Sequence, residues 1–170
     1  MGWKAVRDYY RIGHIVQVRN GRICIGSPYI PEIIVIDADG NVTKRDSSNA
    51  DLKRYMTAFN ENLKKLSDLV QQPDEFERSI PVFTYDGGKI VEKQCEKLGW
   101  PNITHDGEMM YDNTHSADRS RVVEWARKNA NAWVESVRER ISQQEKELEK
   151  SRKLLDEWVS NLEGLSREGS

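Results

Sequence analysis

The densest group of residues that could do chemistry lies between positions 102 and 118. It contains two histidines, His105 and His115, with carboxylates nearby in the sequence, among them Asp106. Imidazole and carboxylate groups can bind a divalent metal, and a bound metal can activate water. The histidines are ten residues apart, without the short spacing of a metal-binding motif. A metal-dependent hydrolase that uses these three residues is the third of three hypotheses for the function, after the two described below. The main prediction is that the chain holds neither a metal nor a cofactor.

A second hypothesis is a binding site for a small anionic, nucleotide-like ligand. The first 25 residues contain five basic side chains and one acidic one. Arginine and aromatic side chains can neutralise and stack on such a ligand, between the N-terminal strands and the loop 102–115. The residues predicted to contact it are Arg11, Arg19, Arg22, His105, Asp106, Tyr111, Asn113 and His115. Turn formation by Asp and Asn, and solvation of surface arginines, are the competing structural interpretation.

These residues must be positioned by an α+β fold. The dipeptides Asn20-Gly21 and Asp39-Gly40 are hairpin signals. They predict an N-terminal antiparallel meander of four strands: Ile12–Val18, Arg22–Ile25, Ile33–Ile36 and Val42–Lys44. The β-branched run of the third strand is typical of a central strand buried on both faces.

A helix over residues 48–71 is predicted to cover the meander. Its apolar residues recur at steps of four and three, and Ser47 or Ser48 would cap its first turn. A small central βα piece follows, with a strand at Ile80–Tyr85, a turn, and a short helix at Ile90–Leu98. Residues 1–115 are thus predicted to form one α+β body.

The remaining residues, 116–170, are predicted to form a long coiled-coil-like helix for oligomerisation or partner binding. Uninterrupted by Pro or Gly from Ser116 to Glu163, it would span about 70 Å. From Val134 onward the inward positions alternate in steps of three and four, with Gln144 and Ser151 at two of them, which is the pattern of a coiled-coil seam with two polar layers. The predicted interface consists of Val134, Val137, Ile141, Gln144, Leu148, Ser151, Leu155, Trp158 and Leu162. The tryptophans of this helix, Trp125, Trp133 and Trp158, are expected to be buried against the body, another helix or another chain.

Composition narrows the classes of function. The net charge of −2 over 170 residues argues against a general nucleic-acid binder. No apolar run approaches the 18 residues of a membrane span, and Cys24 and Cys95 fit a reducing cytoplasm. The leading hypothesis is a non-enzymatic, self-associating interaction protein. Its partner would be a second copy of itself, and further partners would be a host protein or the small anionic ligand.

One segment resembles a known group of proteins. Residues Leu98–Thr114, LGWPNITHDGEMMYDNT, together with the charged helix that follows, resemble small uncharacterised accessory proteins of tailed bacteriophages. The resemblance extends over residues 98–135 and contains no catalytic motif, so it implies no enzymatic activity. It implies expression in the cytoplasm of a host bacterium and a role in countering host defence.

Overall fold

The computed structural model describes residues 1–168 and has the predicted α+β fold. Four strands form an antiparallel sheet in chain order: β1 Ile15–Arg19, β2 Arg22–Gly26, β3 Ile34–Ile36 and β4 Val42–Lys44. Both residues of the Asn20-Gly21 turn have positive φ, 50° and 69°, as a two-residue hairpin requires. The meander is confirmed, and all three residues of β3 are buried.

Helices α1 Trp3–Tyr9, α2 Ala50–Glu61 and α3 Leu63–Gln71 share one hydrophobic core with this sheet. Helix α1 lies in a segment that received no helix in the sequence-based prediction. Its Trp3 and Val6 are buried, and the helix contacts α3 and β1. Seven residues are too few for a stable isolated helix, so these contacts are what stabilise α1.

The single helix predicted over residues 48–71 is wrong, because the chain breaks at Asn62. The Asn62 side chain accepts a hydrogen bond from the Lys65 backbone N–H at 2.9 Å and starts α3 as a new helix. Asn49, rather than Ser47 or Ser48, caps α2 by accepting from the Leu52 N–H at 2.9 Å. Asparagine side chains compete with the helix backbone for hydrogen bonds, so they favour such end positions.

The predicted helix at Ile90–Leu98 is also wrong, because this segment is a strand. Strands β5 Ile80–Asp86 and β6 Lys89–Cys95 form an antiparallel pair over their full length, from Ile80–Cys95 to Asp86–Lys89. The apolar spacing of the segment fits a helix. The turn after β5 instead returns the chain beside that strand, and pairing satisfies the backbone groups of both strands.

The long helix, α4, spans Arg119–Glu168 and contains 50 residues. It begins three residues after the predicted start, because Ser116 and Phe83 exchange two backbone hydrogen bonds of 2.8 and 3.0 Å. It continues through Gly164, past the predicted end at Glu163. Gly169 and Ser170, the last residues of the predicted segment 116–170, lie outside the described residues.

The chain divides into two compact units, residues 1–125 and the residues from Ala126 onward. The first unit contains both sheets and the first three helices, and the second consists of α4 from Ala126. The predicted domain boundary at residue 116 stays a prediction. Among the described helices, none has the length and apolar character needed to cross a membrane.

Candidate functional site

The segment predicted as a long loop, residues 102–115, is largely an ordered turn. Bridges join Ile103 to Met109 and Cys95 to Thr104, so the segment adds to the β5–β6 sheet. The turn also contacts the N-terminal part of the first unit, because the Trp3 indole N–H donates to the His105 carbonyl at 2.7 Å. The turn therefore connects helix α1 with the β5–β6 sheet.

Residues 104–108 of this turn cover the free edge of the meander. The backbone N–H of Val18, on the edge strand β1, donates to the Asp106 carbonyl at 2.7 Å. Gly107 has a φ of +85°, and a Cβ atom there would lie 2.3 Å from the Val16 carbonyl oxygen. Only glycine therefore allows the turn to approach β1 this closely. The contact blocks a strand edge that could otherwise pair with another chain.

Five side chains meet behind this turn in what we call the Lys93 cluster: Lys93, Thr104, Asp106, Glu108 and His115. The Lys93 ammonium donates to Asp106 Oδ2 at 2.6 Å and also to the Glu108 carboxylate. The Thr104 hydroxyl donates to the other Asp106 oxygen. Only 20% of the Lys93 side chain is exposed, so both carboxylates neutralise a largely buried cation.

Electrostatic interactions in the Lys93 cluster keep Lys93 and Asp106 charged near neutral pH. Burial lowers the pKa of Lys93, but its hydrogen bonds to Asp106 and Glu108 outweigh that effect and raise the pKa overall. Burial raises the pKa of Asp106, but hydrogen bonds from Lys93 and Thr104 outweigh it and lower the pKa overall. A general acid or base works best with a pKa near the operating pH. These groups are moved away from that range, which favours a structural ion-pair network.

His115 has a buried ring nitrogen without a hydrogen-bond partner among the described residues. Its side chain is 3% exposed, and its Nδ1 lies 2.9 Å from the Thr114 hydroxyl. Within the described part of the chain, Nε2 has no hydrogen-bond partner and lies 3.9 Å from Glu108 Oε1. Burial lowers the pKa of His115, and the charge of Glu108 opposes this only in part. The imidazole is therefore neutral at pH 7 and enclosed by protein.

A cleft of about 600 Å³ opens beside the Lys93 cluster, between β1 and the β5–β6 hairpin. It brings together three of the predicted ligand-binding residues, Arg19, Asp106 and Tyr111. The five other predicted residues do not line it. Arg11 and Asn113 are exposed elsewhere, Arg22 is half-buried in β2, His105 is turned away, and His115 is buried.

The contacts of His105 separate it from the other candidate residues. Its ring stacks on Phe76 with centroids 3.8 Å apart, and its Nε2 lies 2.9 Å from the Arg78 carbonyl oxygen. His105, Asp106 and His115 thus have different partners. Among the described residues, no group of three or more His, Cys, Asp or Glu is placed to hold a metal ion. This arrangement does not favour metal-dependent hydrolysis.

The charges lining the cleft do not favour an anionic ligand either. Two basic side chains, Arg19 and Lys93, face three acidic ones, Asp86, Asp106 and Glu108, which gives the lining a net charge of −1. Lys93 is already bound to two of those carboxylates. Binding of a phosphate-like group would need a positive potential that this lining lacks.

The second candidate site is the predicted seam of helix α4. Its large apolar side chains are 47–65% exposed: Val134, Ile141, Leu148, Leu155, Trp158 and Leu162. Val137 is half-buried, and the polar positions Gln144 and Ser151 are exposed. All nine predicted interface residues therefore lie on a continuous helix, and eight are exposed.

The three tryptophans of α4 differ in exposure. Trp125 is half-buried, but Trp133 and Trp158 are 62% and 65% exposed. The expected burial of Trp133 and Trp158 against the body, another helix or another chain stays a prediction. Large exposed aromatic rings are typical of contact surfaces.

No family model, curated protein or solved structure matches this chain. The likeness of residues 98–135 to bacteriophage accessory proteins therefore stays a prediction. Function must be argued from the chemistry of the chain's own residues.

Thr104 and Glu108 belong to the polar loop that the sequence singles out, but they are not among the residues predicted to contact a ligand. Lys93 is in neither group. Lys93 was assigned to a helix, which hid its alternation with Val91 and Cys95 on one face of β6. The Gly87-Gly88 pair, which is a two-residue hairpin signal, was the available indication of a second strand. The contacts with Asp106 and Glu108, 13 and 15 residues away, depend on the hairpin and could not be inferred from spacing.

Proposed function

We propose that this protein is a non-enzymatic, self-associating interaction protein that binds a second copy of itself through helix α4. The supporting observation is the exposed seam, whose positions recur at steps of three and four from Val134 to Leu162 and are apolar except at Gln144 and Ser151. Two helices bury such a stripe between them when they form a coiled coil.

The energetic argument rests on the size of these side chains. Complete burial of one Val, Leu or Ile side chain contributes roughly 1.5–3 kcal/mol, and the seam offers six such residues besides Trp158. Part of this gain offsets the translational and rotational entropy lost on association. The polar seam residues Gln144 and Ser151 lower the gain but restrict which registers are possible.

The first unit supports the same conclusion from its own chemistry. Its Lys93 cluster is a closed ion-pair network, and its histidine is enclosed by protein. In the cleft beside the cluster, the pKa of Lys93 is raised and that of Asp106 is lowered, so both are moved away from neutrality. The exposed seam of α4 is therefore the surface that best supports a function, which is binding to a second copy.

The test is the molar mass of the full chain in solution, measured by light scattering across a range of concentrations. We expect an oligomer for the wild type and a single chain for the Ile141→Asp/Leu148→Asp variant, because charges would enter the seam. Ser160→Asp adds a charge on the opposite face of the same helix, so it should leave the oligomer intact. A wild type that remains a single chain at the highest concentration would overturn the proposal.

A further inference from the structure

We propose that the second copy lies parallel to the first and in register along residues 134–165. This inference rests on the proposed self-association and adds the orientation of the partner. It is argued from the residues that flank the seam, because flanking charges determine orientation and partner choice in coiled coils.

The seam assigns each residue of α4 to a heptad position. Positions a are Val134, Ile141, Leu148, Leu155 and Leu162, and positions d are Val137, Gln144, Ser151, Trp158 and Leu165. The g residues immediately precede a, and the e residues immediately follow d. In a parallel, in-register pair, each g residue faces the e residue five positions later in the partner.

All three central g–e′ pairs are complementary in this arrangement. Arg140 faces the partner's Glu145, and Glu147 faces the partner's Arg152, so both pairs have opposite charges. Leu154 faces the partner's Val159, and both residues are exposed and apolar, at 55% and 46%. Symmetry doubles each pair, giving four ion pairs and two apolar contacts per dimer.

The charged residues of these pairs are available for contacts between chains. Helix α4 contains internal ion pairs such as Arg138–Glu135 and Lys153–Glu149. Among the described residues, Arg140, Glu145 and Arg152 have no ion-pair partner. Glu147 contacts Lys150, but both side chains are 73% exposed, and such surface pairs exchange easily.

Antiparallel pairing gives poorer matches. With Leu148 opposite the partner's Ser151, Glu145 still faces Arg152. Glu147, however, then faces Leu154, and Arg138 faces Val159. A shift of seven residues in either direction sets Arg152 against Arg152 or Glu147 against Glu147. Like charges at these positions repel, so the parallel register is favoured.

The first experiment is disulfide cross-linking of the full-length Ser151→Cys variant with diamide. Position 151 faces its own copy only in the parallel, in-register pair, where a disulfide can form. We expect nearly complete conversion to a covalent dimer on a non-reducing gel. Ser160→Cys, on the outer face, is the matched control and should stay uncross-linked. The native cysteines, Cys24 and Cys95, are buried and give the background in the wild type.

The second experiment reverses charges and reads the dimer dissociation constant by sedimentation equilibrium. Arg140→Glu should raise that constant by about ten-fold, because each copy then opposes Glu145 with a like charge. Arg140→Glu/Glu145→Arg restores opposite charges and should return the constant to near the wild-type value. Residues 140 and 145 are five apart and do not face each other on one helix, so this rescue requires contact between chains.

The outcomes separate the orientation from the self-association. A wild-type oligomer whose Ser151→Cys variant does not cross-link would overturn the parallel register while leaving the proposed function standing. An oligomer in which the double reversal fails to rescue would do the same. A wild type that is a single chain at every concentration would overturn both proposals.

Discussion

Two helical stripes with similar spacing differ in burial in this protein: the stripe on α2 and α3 is buried, and the seam of α4 is exposed. Along α2 and α3, apolar residues recur at steps of three and four, and Leu52, Phe59 and Leu66 are at most 2% exposed. Along α4 the seam positions recur at the same steps, with polar residues at Gln144 and Ser151, yet Ile141 and Leu155 are 48% and 62% exposed. The difference teaches that periodicity identifies an apolar face but does not identify what covers it.

Charged residues show the same contrast. Lys93 is 20% exposed and contacts the carboxylates of Asp106 and Glu108. Asp106 in turn accepts a hydrogen bond from the Thr104 hydroxyl. Lys150 on α4 is 73% exposed and has one carboxylate partner. Burial strengthens electrostatic interactions and makes an unpaired charge costly, whereas solvent screens an exposed pair. Substitutions in matched positions of the two regions should therefore differ strongly.

The largest expected difference is between Phe59→Ala and Leu148→Ala. Phe59 is fully buried and packs edge-on against Tyr10 at 4.7 Å, so its truncation should lower the free energy of unfolding by about 3–5 kcal/mol. Leu148→Ala should leave amide hydrogen exchange in residues 1–125 unchanged. Urea unfolding and hydrogen-exchange mass spectrometry measure the two effects. Equal losses of protection in residues 1–125 would break the contrast between the stripes.

Two glycines give the next comparison. Gly107→Ala should lower the free energy of unfolding by about 2 kcal/mol or more, because of its φ of +85° and the close Val16 carbonyl. Within residues 1–168, no atom lies within 4 Å of a Cβ added at Gly164 in α4. Gly164→Ala should therefore stabilise helix α4, by up to about 1 kcal/mol of free energy, and increase its helicity. Far-UV circular dichroism during urea unfolding checks both variants, and a neutral Gly107→Ala would contradict the packing of the turn on β1.

Replacing the two lysines by methionine extends the comparison to charge. Lys93→Met should lower the free energy of unfolding by about 2 kcal/mol at pH 7, since two carboxylates lose their cation but remain 37% exposed. The lowered pKa of Asp106 stabilises the fold above its unfolded value of 3.8, and this stabilisation is lost as the pH falls through the folded pKa. The defect should therefore shrink below pH 4.

Lys150→Met is the matched control for that variant, because its ion pair is screened by solvent. The urea unfolding curve of Lys150→Met should coincide with that of the wild type at pH 7 and at pH 3. A Lys93→Met defect that is equally large at pH 3 and pH 7 would show that lost packing, rather than lost charge, is responsible.

The smallest effect concerns His115 and pH. Its pKa is lowered in the folded state, so the unfolded chain takes up the proton first as the pH falls below 6.5. Stability is therefore full above pH 6.5 and decreases below it, by at most about 1.4 kcal/mol per pH unit. His115→Gln should remove this component. Urea unfolding between pH 5.5 and 7.5 measures the difference, and identical pH profiles would contradict the buried, neutral imidazole.

Local signals predicted the first unit where they agreed with its tertiary contacts. The Asn20-Gly21 turn and the β-branched residues of β3 were sufficient for the meander, because both act through nearest neighbours. The prediction failed at β6, where helical spacing competed with pairing to β5. It failed again at Asn62, where one side-chain hydrogen bond divides an otherwise continuous apolar stripe.

The sequence alone determined the fold class, the strand order of the meander, and the length and seam of α4. These follow from turn types and from the periods of apolar residues, which are local properties of the chain. Only the tertiary structure decided that Lys93 contacts Asp106 and Glu108, that Gly107 brings residues 104–108 onto β1, and that one apolar stripe is buried and the other exposed. Each of these depends on segments far apart in sequence meeting in space, and spacing along the chain does not specify that.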